Sequence, residues 1–302
     1  MNILLATDGS RFATQALEYL RDFPFPQAGR CHLVTVLDKR AFKARKKSDL
    51  SDEDKDWLKQ AKKEIREEGA DFLEQQARVL RDRGREVHTL VRTGHPADEI
   101  VQAAADVDAD LVIVGSHGWT AAKRFMLGSV SDKVLQYAPC SVLIVKQPDE
   151  QTSIYSDKVL KILLAYDDSQ PAKRAVEFMA ALPLGNDTHI RALSVLPVIH
   201  MFRQDIKQRL SWVWQEKKRA AKAALKRIAK EERWGHLQVE TELLEAEDVS
   251  QAILDTASRD HSDLIVTGHK GKGAIDRFLL GSVIGNISHH AQCSVLAVRP
   301  KK

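Results

Sequence analysis

One pattern constrains this chain more than any other. An apolar run, Leu111-Val112-Ile113-Val114, stops at Gly115-Ser116-His117-Gly118, and Gly128-Ser129 follow. The arrangement returns as Leu264-Ile265-Val266-Thr267, Gly268-His269-Lys270-Gly271 and Gly281-Ser282. Both copies read Gly-x2-Gly-x9-Gly-Ser. A strand ending in a glycine turn that opens a helix suits a phosphate. Glycine admits close backbone approach, and the helix start presents N–H groups with a favourable dipole.

The whole chain repeats around this pattern. Asp8 and Asp167 correspond at an offset of 159 residues, and so do Val36 and Val195. Gly115 and Gly268, Gly128 and Gly281, and Cys140 and Cys293 correspond at 153. The second copy is therefore six residues shorter between its second strand and its glycine turn. A charged helical stretch lies there and absorbs such a change without disturbing a core.

Each copy alternates strand and helix. In the first, apolar runs at 2–6, 31–37, 86–92, 111–114 and 141–145 predict strands. Helical spacing covers 11–23, 57–83, 96–106 and 129–137, and the second copy opens a matching last helix over 282–291. This order predicts an α/β fold: two tandem Rossmann-like domains, each a five-stranded doubly wound parallel sheet with helices on both faces. Domain one is expected over 1–147, a polar, Pro-containing linker over 148–157, and domain two over 158–302. If strands one and four are neighbours, Asp8 and Gly115 meet at one cleft at the switch point.

Composition narrows the class. A hydrophobic fraction of 43% and a charged fraction of 29% are those of a soluble globular protein. No apolar run reaches membrane-spanning length, residues 1–8 carry no basic leader, and three cysteines make no disulfide framework. A cytoplasmic protein with no membrane partner is expected. Cys140 and Cys293 read as small buried core residues. The His289-His290 pair does not read as a metal site, since adjacent helical residues point apart. The basic stretches 39–47 and 207–233 interleave acids and keep a helical apolar stripe. They read as solvated helix faces, so nucleic acid is not an expected partner.

The chain resembles the universal stress protein family in its tandem, ATP-binding form. The resemblance rests on Ala6-Thr7-Asp8-Gly9-Ser10, on the glycine pattern with Val130, and on Cys140-Ser-Val-Leu-Ile-Val145, with the blocks recurring from Ala165, Gly268 and Cys293. It covers both halves almost end to end. Family members often have proline after the cysteine, where this chain has serine in both copies.

The resemblance implies ATP, AMP or ADP as ligand, with Mg²⁺ or Mn²⁺ beside the nucleotide. Ala6, Thr7, Asp8, Val36, Gly115, Ser116, His117, Gly118, Arg124, Gly128, Ser129, Val130 and Ser131 would form the first site. Ala165, Tyr166, Asp167, Val195, Gly268, His269, Lys270, Gly271, Arg277, Gly281, Ser282 and Val283 would form the second. The glycines and serines would wrap the phosphates, Asp8 and Asp167 would face the metal or ribose, and the Val36 and Val195 backbones would meet adenine. Plainer readings stand beside these. The aspartates also suit turns or N-caps, the valines suit the core, and Arg124 and Arg277 suit solvated loops.

Copy two departs in three ways: Ile284 replaces Ser131, Tyr166 and Asp168 replace Thr7 and Gly9, and Glu247 replaces Gly94. These changes predict weaker or different binding there. Lys270 and Lys272 act in the opposite direction. The expected role is a stress-response regulator with an unnamed protein partner, pseudo-dimeric packing of the repeats and a homodimer. The alternatives are a slow ATP hydrolase or adenylyl-transfer enzyme, and an RNA or small-ligand binding module. No base stands near the phosphate turn to make a hydrolytic site evident.

Overall fold

The computed structural model describes residues 1–42, 51–118, 127–146, 159–198, 204–271 and 280–301. The expected linker at 148–157, Arg124 and Arg277 lie outside them. The chain divides into two compact units, Met1–Val145 with Lys301–Lys302, and Lys146–Pro300.

Unit one runs β1 (Ile3–Ala6), α1 (Arg11–Asp22), β2 (Arg30–Asp38), α2 (Asp52–Arg81), β3 (Glu86–Gly94), α3 (Pro96–Asp106), β4 (Leu111–Gly115), α4 (Ser129–Tyr137) and β5 (Ser141–Val145). Its strands lie in the order β3-β2-β1-β4-β5, all parallel. Right-handed crossovers then put α1 and α2 on one face and α3 and α4 on the other. The central strands are apolar on both sides because helices cover both: Ile3, Leu4, Leu5, Leu111, Val112 and Ile113 have no exposed surface. Each large aliphatic side chain buried this way contributes about 1.5–3 kcal/mol relative to exposure.

Local chemistry sets the boundaries. The Ser10 hydroxyl accepts the Ala13 amide and caps α1. Ser51 and Asp54 form a capping box that starts α2 five residues before the expected Trp57. After α2, Gly84 takes a φ of +79°, which a residue with a Cβ rarely adopts.

Unit two runs β6 (Lys161–Ala165), α5 (Gln170–Ala180), β7 (His189–Pro197), α6 (Gln204–Ala229), β8 (Val239–Ala246), α7 (Val249–Arg259), β9 (Leu264–Gly268), α8 (Ser282–His290) and β10 (Ser294–Val298). Its order is β8-β7-β6-β9-β10, again parallel. The fold class expected from the sequence is therefore the observed one, two doubly wound α/β domains. Helix α6 has 26 residues against 30 in α2, which accounts for part of the shortening. Cys140 is buried as expected, but Cys293 is only partly so.

Candidate functional site

In unit one the chain reverses its direction across the sheet between β1 and β4, which pair side by side from Ile3↔Leu111. Such a switch point leaves a crevice at the carboxyl ends of the strands. A cavity of about 290 Å³ lies there. Ala6, Thr7, Asp8, Val36, Gly115, His117, Gly118, Gly128, Ser129, Val130 and Ser131 line it. Ser116 does not. Its side chain is buried, its amide donates to Val145, and its carbonyl accepts the Gly128 amide.

The three glycines have separate reasons. A Cβ on Gly115 would come within 2.6 Å of the Phe12 carbonyl oxygen, so this residue lets α1 sit against the end of β4. A Cβ on Gly118 would lie 2.7 Å from Asp8 Oδ2. On Gly128 it would lie 3.2 Å from the Cα of His117, which narrows the turn. None of the three has a left-handed φ. Their smallness serves close approach rather than an unusual backbone.

The start of α4 faces the same cavity. Its first helical bond runs from the Asp132 amide to the Gly128 carbonyl. The amides of Ser129, Val130 and Ser131 precede that bond and have no helical acceptor. Gly128 has no side chain with which to cap them. Helices α1 and α5, by contrast, are capped by the hydroxyls of Ser10 and Ser169. An anion is the natural complement of an uncapped helix start.

Asp8 makes the turn, while the cap of α1 is Ser10 and not Asp8. Its Oδ1 accepts the Ser10 amide at 2.9 Å, which makes the turn, while Oδ2 faces Gly118. Val36 is placed by the ladder. The Thr7 amide donates to the Val34 carbonyl at 2.9 Å, so the backbone groups of Val34 and Val36 both face the β1 side. Strand β1 ends at Ala6 while β2 continues to Asp38. The Val36 N–H and C=O therefore point past the end of β1, at the cavity wall. His117 packs its ring against Phe12 at 5.0 Å, with Nδ1 3.1 Å from the Ser116 hydroxyl.

Unit two repeats this frame. The Asp167 Oδ1 accepts the Ser169 amide at 3.0 Å, and a Cβ on Gly271 would lie 3.0 Å from Asp167 Oδ2. A Cβ on Gly268 would meet Pro171 and Ala172 as Gly115 would meet Phe12. Gly281 caps α8 without a side chain, and the first bond is from Gly285 to Gly281. The Ser282, Val283 and Ile284 amides are left as in α4. The Tyr166 amide donates to the Leu193 carbonyl, so the Val195 backbone passes the end of β6 at Ala165. Lys270 stands where unit one has His117. His269 stands where unit one has Ser116, with its amide on Val298. Burial, then the Arg299 charge, pushes the His269 ring down to about 4.

A family model described as the universal stress protein family matches residues 1–146 and again 158–299. The chain belongs to the universal stress protein family. Universal stress protein MJ0531 of Methanocaldococcus jannaschii is 43% identical over 68 residues, 22% of this chain, which spans 40% of that relative. Universal stress protein MJ0577 of the same organism is 32% identical over 152 residues, 48% of this chain and 94% of its own length. The crystal structure of a universal stress protein from Archaeoglobus fulgidus DSM 4304 covers 100% of this chain and 97% of its own, with a TM-score of 0.61 at 20% identity. That likeness shows the fold.

Within the universal stress protein frame, each of the three departures of copy two goes with a change elsewhere in its unit. The Ser131 hydroxyl donates to the Gly115 carbonyl at 2.7 Å in a buried position. In unit two the Thr267 hydroxyl, where unit one has Val114, takes over that carbonyl, donating to Gly268 O at 3.2 Å. Asp168 does not present a bare charge. It lies 2.9 Å from Arg227 and 3.3 Å from Lys173, and accepts the Tyr166 hydroxyl at 3.0 Å. Burial opposes its ionisation, yet the Tyr166 hydroxyl and these cations hold it below the usual carboxylate range. Glu247 has a counterpart too. A Cβ on Gly94 would overlap the Glu99 carboxylate, and the residue matching Glu99 in copy two is Ala252. One acid is exchanged between the two positions.

Sequence reasoning missed Ala13, Val34, Pro96, Ile100 and Val114 in the cavity wall. Val34 shares a strand face with Val36, and Pro96 and Ile100 are one helical turn apart in α3, so periodicity held the signal. Among the described residues, no group of three or more His, Cys, Asp or Glu is placed to hold a metal ion. No described helix is long and apolar enough to cross a membrane.

Proposed function

We propose that this protein is a cytoplasmic stress-response regulator that binds adenine nucleotide, ATP foremost, in each unit. What carries the reading is the pairing of an uncapped, glycine-started helix with a cavity at the switch point. The cavity, at about 290 Å³, is near the lower end of ligand pockets, roughly 300–1,000 Å³. That suits a nucleoside whose phosphates extend along the turn. Apolar Val34, Ile100 and Val114 would flank the base, and the Val36 N–H and C=O would read its edge. The Ser129, Val130 and Ser131 amides would hold phosphate oxygens. In each unit the aspartate of the turn, Asp8 in unit one and Asp167 in unit two, would hold a Mg²⁺ or Mn²⁺ that accompanies the triphosphate and offsets its charge. In unit two Lys270 would add a cation beside the phosphates.

Calorimetric titration tests this. ATP should bind wild type and GTP should bind at least tenfold more weakly. The most informative variants are Ser129→Pro and Ser282→Pro. Proline is tolerated at the first helical position, and it deletes one amide there. Each should weaken its own site about tenfold or more. No heat or displacement with ATP at millimolar concentration would refute the reading.

A further inference from the structure

Helix α6 differs from its counterpart in a way that nucleotide binding does not use. Helix α2 carries nine acidic and seven basic residues, a near balance. Helix α6 carries eight basic and only two acidic ones. The structure shows how these are disposed. Ala224, Leu225 and Ile228 are buried against unit two. Trp212, Arg219, Lys222 and Lys226 are all exposed. At about 100° per residue these four fall within an arc of about 80°, and they span roughly 20 Å along the axis. None of the three cations is in an ion pair among the described residues, and Trp212 is 66% exposed.

The acids of this stretch, Glu216, Glu231 and Glu232, lie at the edge of the stripe or beyond the helix. Glu216 lies at the edge of the stripe, one turn from both Trp212 and Arg219 and about 40° and 60° from them around the axis. Glu231 lies beyond the helix and pairs with Arg233 at 2.6 Å. Glu245, from β8, engages Lys218 and the Trp214 indole on one flank, and its charge also reaches Lys222. What remains is a row of three exposed cations that form no salt bridge among the described residues, with a flat aromatic at one end.

We infer that the outward stripe of α6 binds single-stranded nucleic acid, with Arg219, Lys222 and Lys226 on the phosphates and Trp212 stacking on a base. A row of cations beside an exposed aromatic is the combination that holds such strands without reading sequence. An interfacial membrane helix would need a free apolar face, and this one is spent on the core.

Fluorescence anisotropy with a labelled oligouridylate tests the stripe apart from the nucleotide pockets, because this probe has no adenine. Wild type should bind at low salt, and saturating ATP should not displace the probe. Arg219→Gln/Lys222→Gln/Lys226→Gln should weaken binding at least tenfold. It should also flatten the slope of log affinity against log salt by about 2, since each single-strand phosphate contact contributes about 0.7. Trp212→Ala should weaken binding several-fold. The α2 control Lys59→Gln/Lys62→Gln/Lys63→Gln should bind like wild type, and circular dichroism should show every variant folded. The inference is overturned if wild type does not bind the probe, if the α6 triple variant binds equally, if the α2 control weakens as much, if ATP displaces the probe, or if phosphatidylserine vesicles bind and the oligonucleotide does not.

Discussion

The two glycine-turn regions keep one backbone plan and exchange the side chains that serve it. In unit one a hydroxyl from the helix start, Ser131, bonds the carbonyl of the strand-ending glycine. In unit two the hydroxyl comes from the strand itself, Thr267, and the helix position becomes a buried Ile284. In unit one Gly9 takes a left-handed φ of 75°; in unit two Asp168 does so at 60°, tied to Tyr166, Lys173 and Arg227. What did not change is informative. Both turns keep a glycine against a helix backbone, an aspartate on the turn amide and a glycine where a helix cap would stand. Close approach and open amides are constrained in both, while the means of satisfying individual groups are interchangeable.

The largest effects should fall on the shared frame. Gly115→Val and Gly268→Val each push a branched side chain into helix backbone, and each should destabilise its unit by about 3 kcal/mol or more. Urea unfolding checks this. A large difference between the two would break the equivalence of the units. These glycines are poor probes of ligand binding for the same reason.

The exchanged hydroxyls come next. Ser131→Ala should cost about 1 kcal/mol, because the buried Gly115 carbonyl loses a donor. Thr267→Val should cost a similar amount in unit two. The double variant Val114→Thr/Ser131→Ile imports the unit-two solution, and should recover most of what Ser131→Ile loses alone. No recovery would mean that the exchange is not compensatory.

At the glycine turns a pH effect is expected in unit two, where His269 stands in place of Ser116. With the His269 ring pushed down to about 4 from its usual 6.5, the unfolded chain binds more protons than the folded one between those values. The contribution is fully present above pH 6.5 and is lost as pH falls toward 4. His269→Gln should flatten that part of the stability profile, and the His269 ring resonances should titrate near 4. A midpoint near 6.5 would contradict the burial argument. The smallest effect is expected for Asp168→Gly. Relief of a left-handed φ opposes the loss of partly exposed ion pairs, leaving a net change of about 1 kcal/mol or less.

Much of the frame was legible in the chain. Runs such as Leu111 to Val114 mark buried parallel strands, Ser10 and Ser169 mark helix starts, and the fixed spacing of the glycines places them on one turn. Helix 129–137 and strand 141–145 have the bounds that periodicity gave them. The start of α2 was missed because its capping box lies in a polar stretch whose apolar stripe begins only at Trp57. The surroundings of Ser131, Asp168 and Glu247 were not legible for a different reason. Each goes with a second position: Gly115 sixteen residues before Ser131, Arg227 fifty-nine after Asp168, and Ala252, the match of Glu99, five after Glu247. A position read singly looked like loss of a ligand group, and only the fold reveals the partner.

The central claim is that the opening amides of α4 and α8 hold phosphate. Proton–nitrogen correlation spectra during titration with Mg²⁺-ATP report on those amides directly. The Ser129, Val130 and Ser131 resonances, and those of Ser282, Val283 and Ile284, should shift more than the side-chain-capped starts of α1 and α5. If all six stay in place at saturating nucleotide, the account is contradicted.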